Sequence, residues 1–394
     1  MRKLKIHKAK IVQDNGRPFY LHGVNLGGWL MMEAYFLHAP NLPVQDLKKQ
    51  LRVAVGMKGV EEFDRTFRDN FIVEADFKRI AAMGLNCLRL PFHHALIEKR
   101  PYRYDKEGLA YLDRALRWAE KYGLYVILDL HGAAGSQNHD WHSDSYGQAR
   151  LWKNKTFQQR TLALWEFLAD RYKNKSQVAG YDILNEAVLG DPLVLNKFYK
   201  QIINAIRRSD KDHILFIEGN KWAQDIACLD RFEDDNYALS VHFYEPSQFT
   251  FNLTPHLLYP LKGWNKTLTR QLHLKYKKIA DTHRAPVLVG EFGVNYRNGV
   301  YQEERWVKEC VDVFRSLGFH WTYWTYKAVK NSFFPDGLLS YYPNPPWVRR
   351  EGPVTGWNTY ARLWPAHKND MARSWRSEHF EENKKVTEVL KTYA

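Results

Sequence analysis

The chain has 394 residues, with 58 Lys and Arg against 44 Asp and Glu, which gives a formal net charge of +14 at neutral pH. A hydrophobic fraction of 45% and a charged fraction of 26% are ordinary for a globular protein, and they exclude a disordered, collagen-like or coiled-coil chain. No stretch approaches the roughly 18 consecutive apolar residues of a membrane-spanning helix, so we expect no membrane span.

The excess positive charge is spread along the sequence and interrupted by acidic residues. No zinc-finger or RNP-like motif accompanies it, so we expect a solvated basic surface and no nucleic-acid partner. The basic N-terminus lacks a following apolar segment, which predicts no secretory signal and a cytoplasmic location. Cys87, Cys228 and Cys310 are too far apart for a zinc knuckle or a disulfide framework and are predicted to be free thiols.

Short, almost wholly apolar runs recur along the chain. Before the first of them, Asp14-Asn15-Gly16 is a turn signal that predicts a small hairpin within residues 11–20, closing the bottom of the fold. The predicted strands are 19–24, 86–90, 125–130, 180–184, 214–217, 239–243, 286–289 and 319–324. Strands that are apolar on both faces are typical of a parallel sheet covered by other elements.

Most of these strands are followed by a segment with helical periodicity. Apolar stripes occur within 73–81, 109–119, 162–172, 195–206, 268–279 and 307–314, with a weakly marked helix near 222–229 and a last one near 381–390. Eight such units predict an α/β fold with one (β/α)8 TIM barrel as a single catalytic domain, residues 1–394, rather than a doubly wound sheet.

Two long insertions interrupt the barrel pattern, residues 31–70 after strand one and 327–370 after strand eight. Both are expected at the C-terminal face, where barrel enzymes build their sites. In the second insertion, Trp347 and Trp357 could stack on a ligand or only hold the loop in place.

Polar side chains follow the predicted strands where each ends. They are Arg89, His131, Asn185, Glu186, His242, Tyr244, Glu291 and Trp324. Because parallel barrel strands open at one mouth, we expect these side chains to converge on one pocket. Each has an ordinary structural explanation when taken alone, but their joint occurrence indicates a functional site.

Glu186 and Glu291 follow strands four and seven, which lie nearly opposite each other in a barrel. Two carboxyl groups facing across a pocket are typical of glycoside hydrolysis, with a separation of about 5–5.5 Å for retention and a wider one for inversion. The alternative, that each glutamate only pairs with a neighbouring Lys or Arg, leaves the other strand-end residues unexplained.

The eight strand-end residues, in this order, resemble glycoside hydrolase family 5, and the resemblance extends over residues 19–326. The segments Gly-Val-Asn-Leu-Gly-Gly-Trp-Leu (23–30) and Asp-Leu-His-Gly-Ala-Ala-Gly-Ser-Gln-Asn (129–138) are similar to the exo-β-1,3-glucanase branch. One departure is Phe292, where the fungal members of that branch carry Trp after Gly-Glu.

The resemblance implies that Glu186 is the acid/base and Glu291 the nucleophile of a retaining β-glycosidase. We expect burial and the nearby Glu291 to raise the pKa of Glu186, as an acid requires. We expect Arg89 to lower the pKa of Glu291, and Tyr244 to donate a hydrogen bond to it.

The resemblance also implies a set of substrate-binding residues, which comprises Glu33, Arg89, His131, Asn138, Asn185, His242, Tyr244 and Trp324. Asn185 would hold the sugar 2-hydroxyl, and Trp324 would form an apolar floor under the ring. His131 and His242 would bind hydroxyl groups or orient the glutamates. No metal or cofactor is implied; the partner is a β-linked oligosaccharide or glycoside substrate.

Glu33 and Asn138 match residues of the exo-acting relatives, in which a glutamate at this position grips the terminal sugar. They favour an exo-acting β-glucosidase or exo-β-1,3-glucanase, although Glu33 could instead pair with a Lys or Arg. A β-mannosidase, a glycosphingolipid or diglycoside hydrolase and an endo-β-glucanase remain alternatives within the family.

Two further alternatives come from other classes. The 16 histidines, among them His139 and His142, suggest a metal-dependent barrel hydrolase, but the His-x-His expected after strand one is missing. A non-catalytic glycan-binding barrel would be expected to have lost a glutamate. The loop 139–144 is not explained by any of these interpretations.

Overall fold

The computed structural model describes residues 1–37, 41–341 and 355–394, and the side chains of 1–37, 41–340 and 361–394. Trp347 and the side chain of Trp357 lie outside the described residues. The strands are β1 (Leu4–His7), β2 (Lys10–Gln13), β3 (His22–Asn25), β4 (Cys87–His93), β5 (Glu98–Arg100), β6 (Arg103–Tyr104), β7 (Tyr125–Gly132), β8 (Val178–Asp182), β9 (Ile214–Glu218), β10 (Tyr237–His242), β11 (Val287–Phe292), β12 (His320–Tyr323), β13 (Lys327–Val329), β14 (Leu339–Tyr341) and β15 (Glu381–Glu382). The helices are α1 (Val44–Phe71), α2 (Glu74–Ala82), α3 (His94–Ile97), α4 (Lys106–Lys121), α5 (Lys155–Tyr172), α6 (Pro192–Ser209), α7 (Asn220–Ala223), α8 (Ser247–Thr250), α9 (Lys266–His283), α10 (Glu303–Leu317), α11 (Thr355–Ser374) and α12 (Lys384–Thr392).

Eight parallel strands close into a barrel in the order β3, β4, β7, β8, β9, β10, β11, β12. β3 pairs with β12 as well as with β4, which closes the ring. These are the eight strands predicted from the apolar runs, so the (β/α)8 barrel is confirmed. Nearly all their residues are buried, because side chains fill the interior and the helices cover the outside.

A hairpin of β1 and β2 closes the bottom of the barrel. Leu4 and Ile11 pack there with apolar residues from the lower ends of the barrel strands. The predicted turn at 14–16 is also present, and residues on its two sides pair antiparallel: Val12 forms a bridge with Pro18, and the Phe19 N–H donates to the Ile11 C=O at 2.9 Å. The regular two-stranded hairpin, however, is the one formed by β1 and β2.

The outer helices largely follow the predicted apolar faces, with two differences. In α9 the most deeply buried residues are Thr269, His273 and Ala280, beside the predicted stripe, because the His273 ring packs against aromatic residues of the core. The helix predicted near 222–229 is wrong. Only α7 and a 3-10 turn (Ile226–Cys228) occupy the fifth unit.

Both long insertions are present, and both contain helices that pack on each other. The first contains the 3-10 helix Ala34–Leu37 at the barrel mouth and then α1; the second contains β13, β14 and α11. Phe63 and Phe67 of α1 meet Trp364 of α11 and Trp375, which directly follows α11, edge to face, with ring centroids 5.0 to 5.5 Å apart. This contact joins the two insertions outside the barrel.

Two further expectations concern the chain as a whole. Among the described helices, none combines the length and the apolar character needed to cross a membrane. Cys87, Cys228 and Cys310 are free thiols, as predicted, with Cys87 and Cys310 buried.

Candidate active site

A pocket of about 390 Å³ opens at the C-terminal mouth of the barrel. The predicted site residues that line it are Glu33, His131, Glu186, Tyr244, Glu291 and Trp324. The other four, Arg89, Asn138, Asn185 and His242, are buried beneath its surface. The strand-end residues therefore converge, in two layers.

Glu186 and Glu291 face each other with His242 between them. His242 Nδ1 lies 2.7 Å from Glu186 Oε1 and 3.5 Å from Glu291 Oε2. One oxygen of each carboxyl group lies within 4.8 Å of the other. These three side chains could also ligate a metal ion by their spacing. A guanidinium already occupies one side of this group, since Arg89 Nη1 is 2.7 Å from Glu291 Oε1.

Arg89 is fully buried and joins the strand ends beneath the pocket. Its guanidinium lies 2.7 to 3.1 Å from the carboxylates of Asp129, Asp182, Glu218 and Glu291. A buried charge needs this degree of pairing. The expectation that Arg89 contacts substrate is therefore corrected. Arg89 lies beneath the pocket and holds Glu291 and Asn185 by hydrogen bonds.

The nucleophile candidate is held at both oxygens. Arg89 donates to Oε1 of Glu291, and the Tyr244 hydroxyl donates to Oε2, each at 2.7 Å. Beside them, Asn185 accepts a hydrogen bond from Arg89 at 2.8 Å. The buried Asn185 Nδ2 has no partner among the described residues, which leaves a donor available to a sugar hydroxyl.

Glu186 has a left-handed backbone, with φ of 47°. Its N–H donates to Glu218 Oε2 at 2.6 Å, and its C=O accepts from Asn138 Nδ2 at 2.9 Å. Two side chains thus fix a conformation that a residue with a Cβ rarely adopts. The prediction that Asn138 binds sugar is corrected, because its amide is fully buried and positions Glu186 instead.

The expected pKa directions of the two glutamates are reversed. Burial acts to raise the pKa of Glu186, but the hydrogen bond and charge of His242, with the charge of His142, lower it to about 2. Burial raises the pKa of Glu291, with Glu186 adding to the shift, although His242 and Arg89 oppose it. Both expectations from the sequence were wrong.

The two reversals have different causes: His242 lowers the pKa of Glu186, whereas at Glu291 burial outweighs the opposing charges of His242 and Arg89. Burial acts to lower the pKa of His242, but Glu218, Glu291 and Glu186 raise it well above the ordinary value of histidine. Since the pKa of Glu186 is lowered and that of His242 is raised, the hydrogen bond between them favours a proton held by the pair. The proton that an acid catalyst needs is present, and it belongs to the pair rather than to one residue.

Glu33, His131 and Trp324 face the pocket. His131 stacks on Trp324 with ring planes 7° apart, and its Nδ1 is 2.7 Å from Asp129. Glu33 is 6% exposed and its Oε1 has no hydrogen-bond partner among the described residues. Among the described residues, the side chain that pairs with Glu33 is His131, with Nε2 3.5 Å from Oε1, and not a Lys or Arg.

Aromatic rings from four loops wall the pocket beside Glu33. Tyr35 accepts a hydrogen bond from Trp324 Nε1 at 2.6 Å. The rings of Tyr35, Trp141, Phe334 and Phe251 contact one another in sequence, with centroids 5.6 to 6.2 Å apart. Trp141 belongs to the unexplained loop 139–144, which also brings Asp140 and His142 to the pocket.

Sequence reasoning missed several residues of this site. Asp129, Asp182 and Glu218 lie inside or at the end of barrel strands, and the only available signal was an acidic residue within an apolar run. Glu218 gave the clearest such signal, because it directly precedes Gly219 after the fifth strand.

Residues 49–330 match the family model described as Cellulase (glycosyl hydrolase family 5). Over 344 residues the chain is 34% identical to a beta-xylosidase of Phanerodontia chrysosporium, covering 84% of this chain and 71% of the relative. It is 27% identical to endoglucanase C of Acetivibrio thermocellus, covering 78% and 91%. It is 30% identical to a probable glucan 1,3-beta-glucosidase A of Neosartorya fischeri, covering 61% of each chain.

The barrel, its paired glutamates and these matches define a glycoside hydrolase. The chain belongs to glycosyl hydrolase family 5, as the strand-end residues indicated.

Proposed function

We propose that the protein is a retaining, exo-acting β-glycosidase that removes one sugar at a time from a chain end or a glycoside. The observation that carries this proposal is a pair of carboxyl groups with oxygens within 4.8 Å, in a pocket walled beside Glu33, whose Oε1 has no hydrogen-bond partner among the described residues. That spacing suits direct attack by one carboxylate better than attack by a water held between the two.

The proposed reaction has two steps. The proton shared by Glu186 and His242 passes through Glu186 to the glycosidic oxygen while Glu291 bonds to the anomeric carbon and the leaving alcohol departs. Water then attacks that carbon, Glu186 accepts its proton, and Glu291 is released. Arg89 and Tyr244 orient the nucleophile, and Asn185 Nδ2 is available to the 2-hydroxyl.

Retention is tested by proton NMR of the first product. Because attack occurs twice at the same carbon, the released sugar is expected as the β-anomer before mutarotation. A time course on a 4-nitrophenyl β-glycoside at high enzyme concentration resolves this order. Initial appearance of the α-anomer would refute the double displacement.

A second candidate concerns the sugar rather than the chemistry. The relative with 34% identity is named a beta-xylosidase, and xylose lacks the hydroxymethyl group of glucose. Comparing kcat/KM for the 4-nitrophenyl β-glucoside, β-xyloside and β-mannoside, with laminarin alongside, identifies the sugar. A preference for the xyloside would support the second candidate over a glucosidase.

Glu33 is proposed to grip the terminal sugar. Its Oε1 has no hydrogen-bond partner among the described residues and can accept a hydrogen bond from a sugar hydroxyl. Charge-assisted hydrogen bonds contribute roughly 1.5–3 kcal/mol each, so Glu33→Ala should lower kcat/KM about 10- to 100-fold. Glu33→Gln keeps the volume and one acceptor oxygen and should lose less. Thermal unfolding of both variants should stay close to that of the wild type.

The mode of attack has a separate measurement. With a soluble β-glucan, the wild-type enzyme should release monosaccharide while the viscosity of the polymer falls slowly. A rapid drop in viscosity with oligosaccharide products would show an open cleft and contradict the assignment of Glu33.

A further inference from the structure

The loop 139–144 places a second histidine against the acid/base candidate. His142 lies in the short 3-10 helix Trp141–Ser143, and its Nε2 is 3.6 Å from Oε2 of Glu186. The same nitrogen is 3.6 Å from Oδ2 of Asp140. The imidazole therefore stands between two carboxylates.

The two histidines approach different oxygens of Glu186. His242 is bound to Oε1 at 2.7 Å, which leaves Oε2 to face a glycosidic oxygen in the pocket. His142 approaches Oε2 at a distance beyond a hydrogen bond but within reach after a small rotation. His242 belongs to the buried layer, whereas His142 lines the pocket itself.

The loop is tied to the acid/base candidate through one side chain. Asn138 Oδ1 accepts from the Asp140 N–H at 2.9 Å, and Asn138 Nδ2 donates to the Glu186 C=O, also at 2.9 Å. The Asp140 carboxylate is held in turn by Trp222 Nε1, at 2.7 Å. The position of His142 is therefore coupled to the backbone of Glu186.

We propose that His142, oriented by Asp140, is a second positioning residue for Glu186, directing Oε2 towards the leaving-group oxygen and stabilising the carboxylate formed on proton donation. This inference rests on the function proposed above. In the first step the proton leaves Glu186 for the glycosidic oxygen, the bond from that oxygen to the anomeric carbon breaks, and Glu291 bonds to the carbon. The pair of Glu186 and His242 gives up its proton in this step, and the imidazole of His142 lies on the pocket side, 3.6 Å from Oε2 of Glu186.

The charges around His142 support this role. The carboxylates facing it are Asp140 and Glu186, with Glu33 further off. Burial acts to lower the pKa of His142, but these three groups raise it above the ordinary value of histidine. The raised pKa favours the protonated imidazole beside the carboxylate of Glu186.

The test is the dependence of rate on the leaving group. With His142→Gln, kcat/KM should fall about 10- to 100-fold for glycosides with poor leaving groups, such as methoxyphenyl or alkyl aglycones, because these need the acid. For 2,4-dinitrophenyl glycosides, whose phenolate leaves without being protonated, kcat/KM should change less than about threefold. Asp140→Asn should show the same pattern to a smaller degree.

His139 supplies a matched control. It lies in the same loop, its side chain is half exposed, and its Nε2 is 3.7 Å from Asp140, but it does not line the pocket. His139→Gln should leave both classes of substrate within about twofold of the wild type, as ordinary surface substitutions do. Thermal unfolding of each variant separates loss of fold from loss of positioning.

Two outcomes would overturn the inference. An equal fall in kcat/KM for both substrate classes in His142→Gln would indicate a residue that only supports the fold. A kcat/KM that is unchanged for both classes would indicate that His142 has no role in the reaction. Different results would contradict the proposed function itself. The wild type would then cleave no β-glycoside, or Glu186→Ala would show no dependence on the leaving group.

Discussion

Glu291→Gly is expected to lower kcat at least about 10³-fold, because it removes the group that forms the covalent intermediate. Arg89 and Tyr244 hold the two oxygens of Glu291, and the glycine of the variant gives them no carboxylate to orient. The measurement is kcat with an activated aryl glycoside, in parallel with thermal unfolding.

Azide provides the control for Glu291→Gly. A small anion can enter the space left by the carboxylate, so added azide should partly restore turnover and give the α-glycosyl azide. Azide should not accelerate the wild type. A variant that keeps more than a tenth of the wild-type rate would contradict the assignment of the nucleophile.

Glu186→Ala is expected to separate substrates by their leaving groups. A general acid contributes about 10²- to 10⁴-fold, so glycosides with poor leaving groups should lose activity in that range while dinitrophenyl glycosides keep most of theirs. An equal loss on both kinds of substrate would argue against Glu186 as the acid.

The pH profile of kcat/KM carries the second part of this prediction. Activity needs Glu291 ionised, so it should fall as the pH drops through the raised pKa of that group. It also needs the proton of the Glu186–His242 pair, so it should fall as the pH rises through the pKa of the pair, above that of free histidine. Glu186→Ala should flatten the basic limb and keep the acid limb; an unchanged bell shape would contradict it.

The barrel could be predicted because its strands are short, apolar on both faces and separated by helical stripes. The convergence of Glu186 and Glu291 followed from topology alone, since parallel strands open at one mouth. The fifth helix could not be placed, because Lys221 and Trp222 adopt left-handed conformations that no residue type in the segment signals.

The second layer of the site was less accessible from the sequence. Asp129, Asp182 and Glu218 are explained by Arg89, but a sequence does not show that one guanidinium will reach all of them. The positions of the residues that line the pocket could therefore be predicted more readily than the buried residues that hold them. Asn138 illustrates this: its motif was recognised, and its function was not.

The pKa directions failed for a related reason. They were inferred from the two glutamates and Arg89. At Glu186 the decisive group is the His242 ring at 2.7 Å, whose effect outweighs burial. At Glu291 burial outweighs the charges of Arg89 and His242, and neither balance can be calculated without the three-dimensional distances.

The left-handed backbone of Glu186 sets folding stability against catalytic activity at this position. Glycine is the residue that tolerates this conformation most easily, and a residue with a side chain there costs of order 1–3 kcal/mol. Glu186 also buries a carboxylate that has to be neutralised by histidines. Selection for thermal stability alone would favour a smaller, uncharged residue at this position, whereas the proposed role of Glu186 as the acid/base requires the carboxyl group. Stabilising substitutions are therefore best placed in the outer helices, away from Glu218 and Asn138, which hydrogen-bond to the backbone of Glu186.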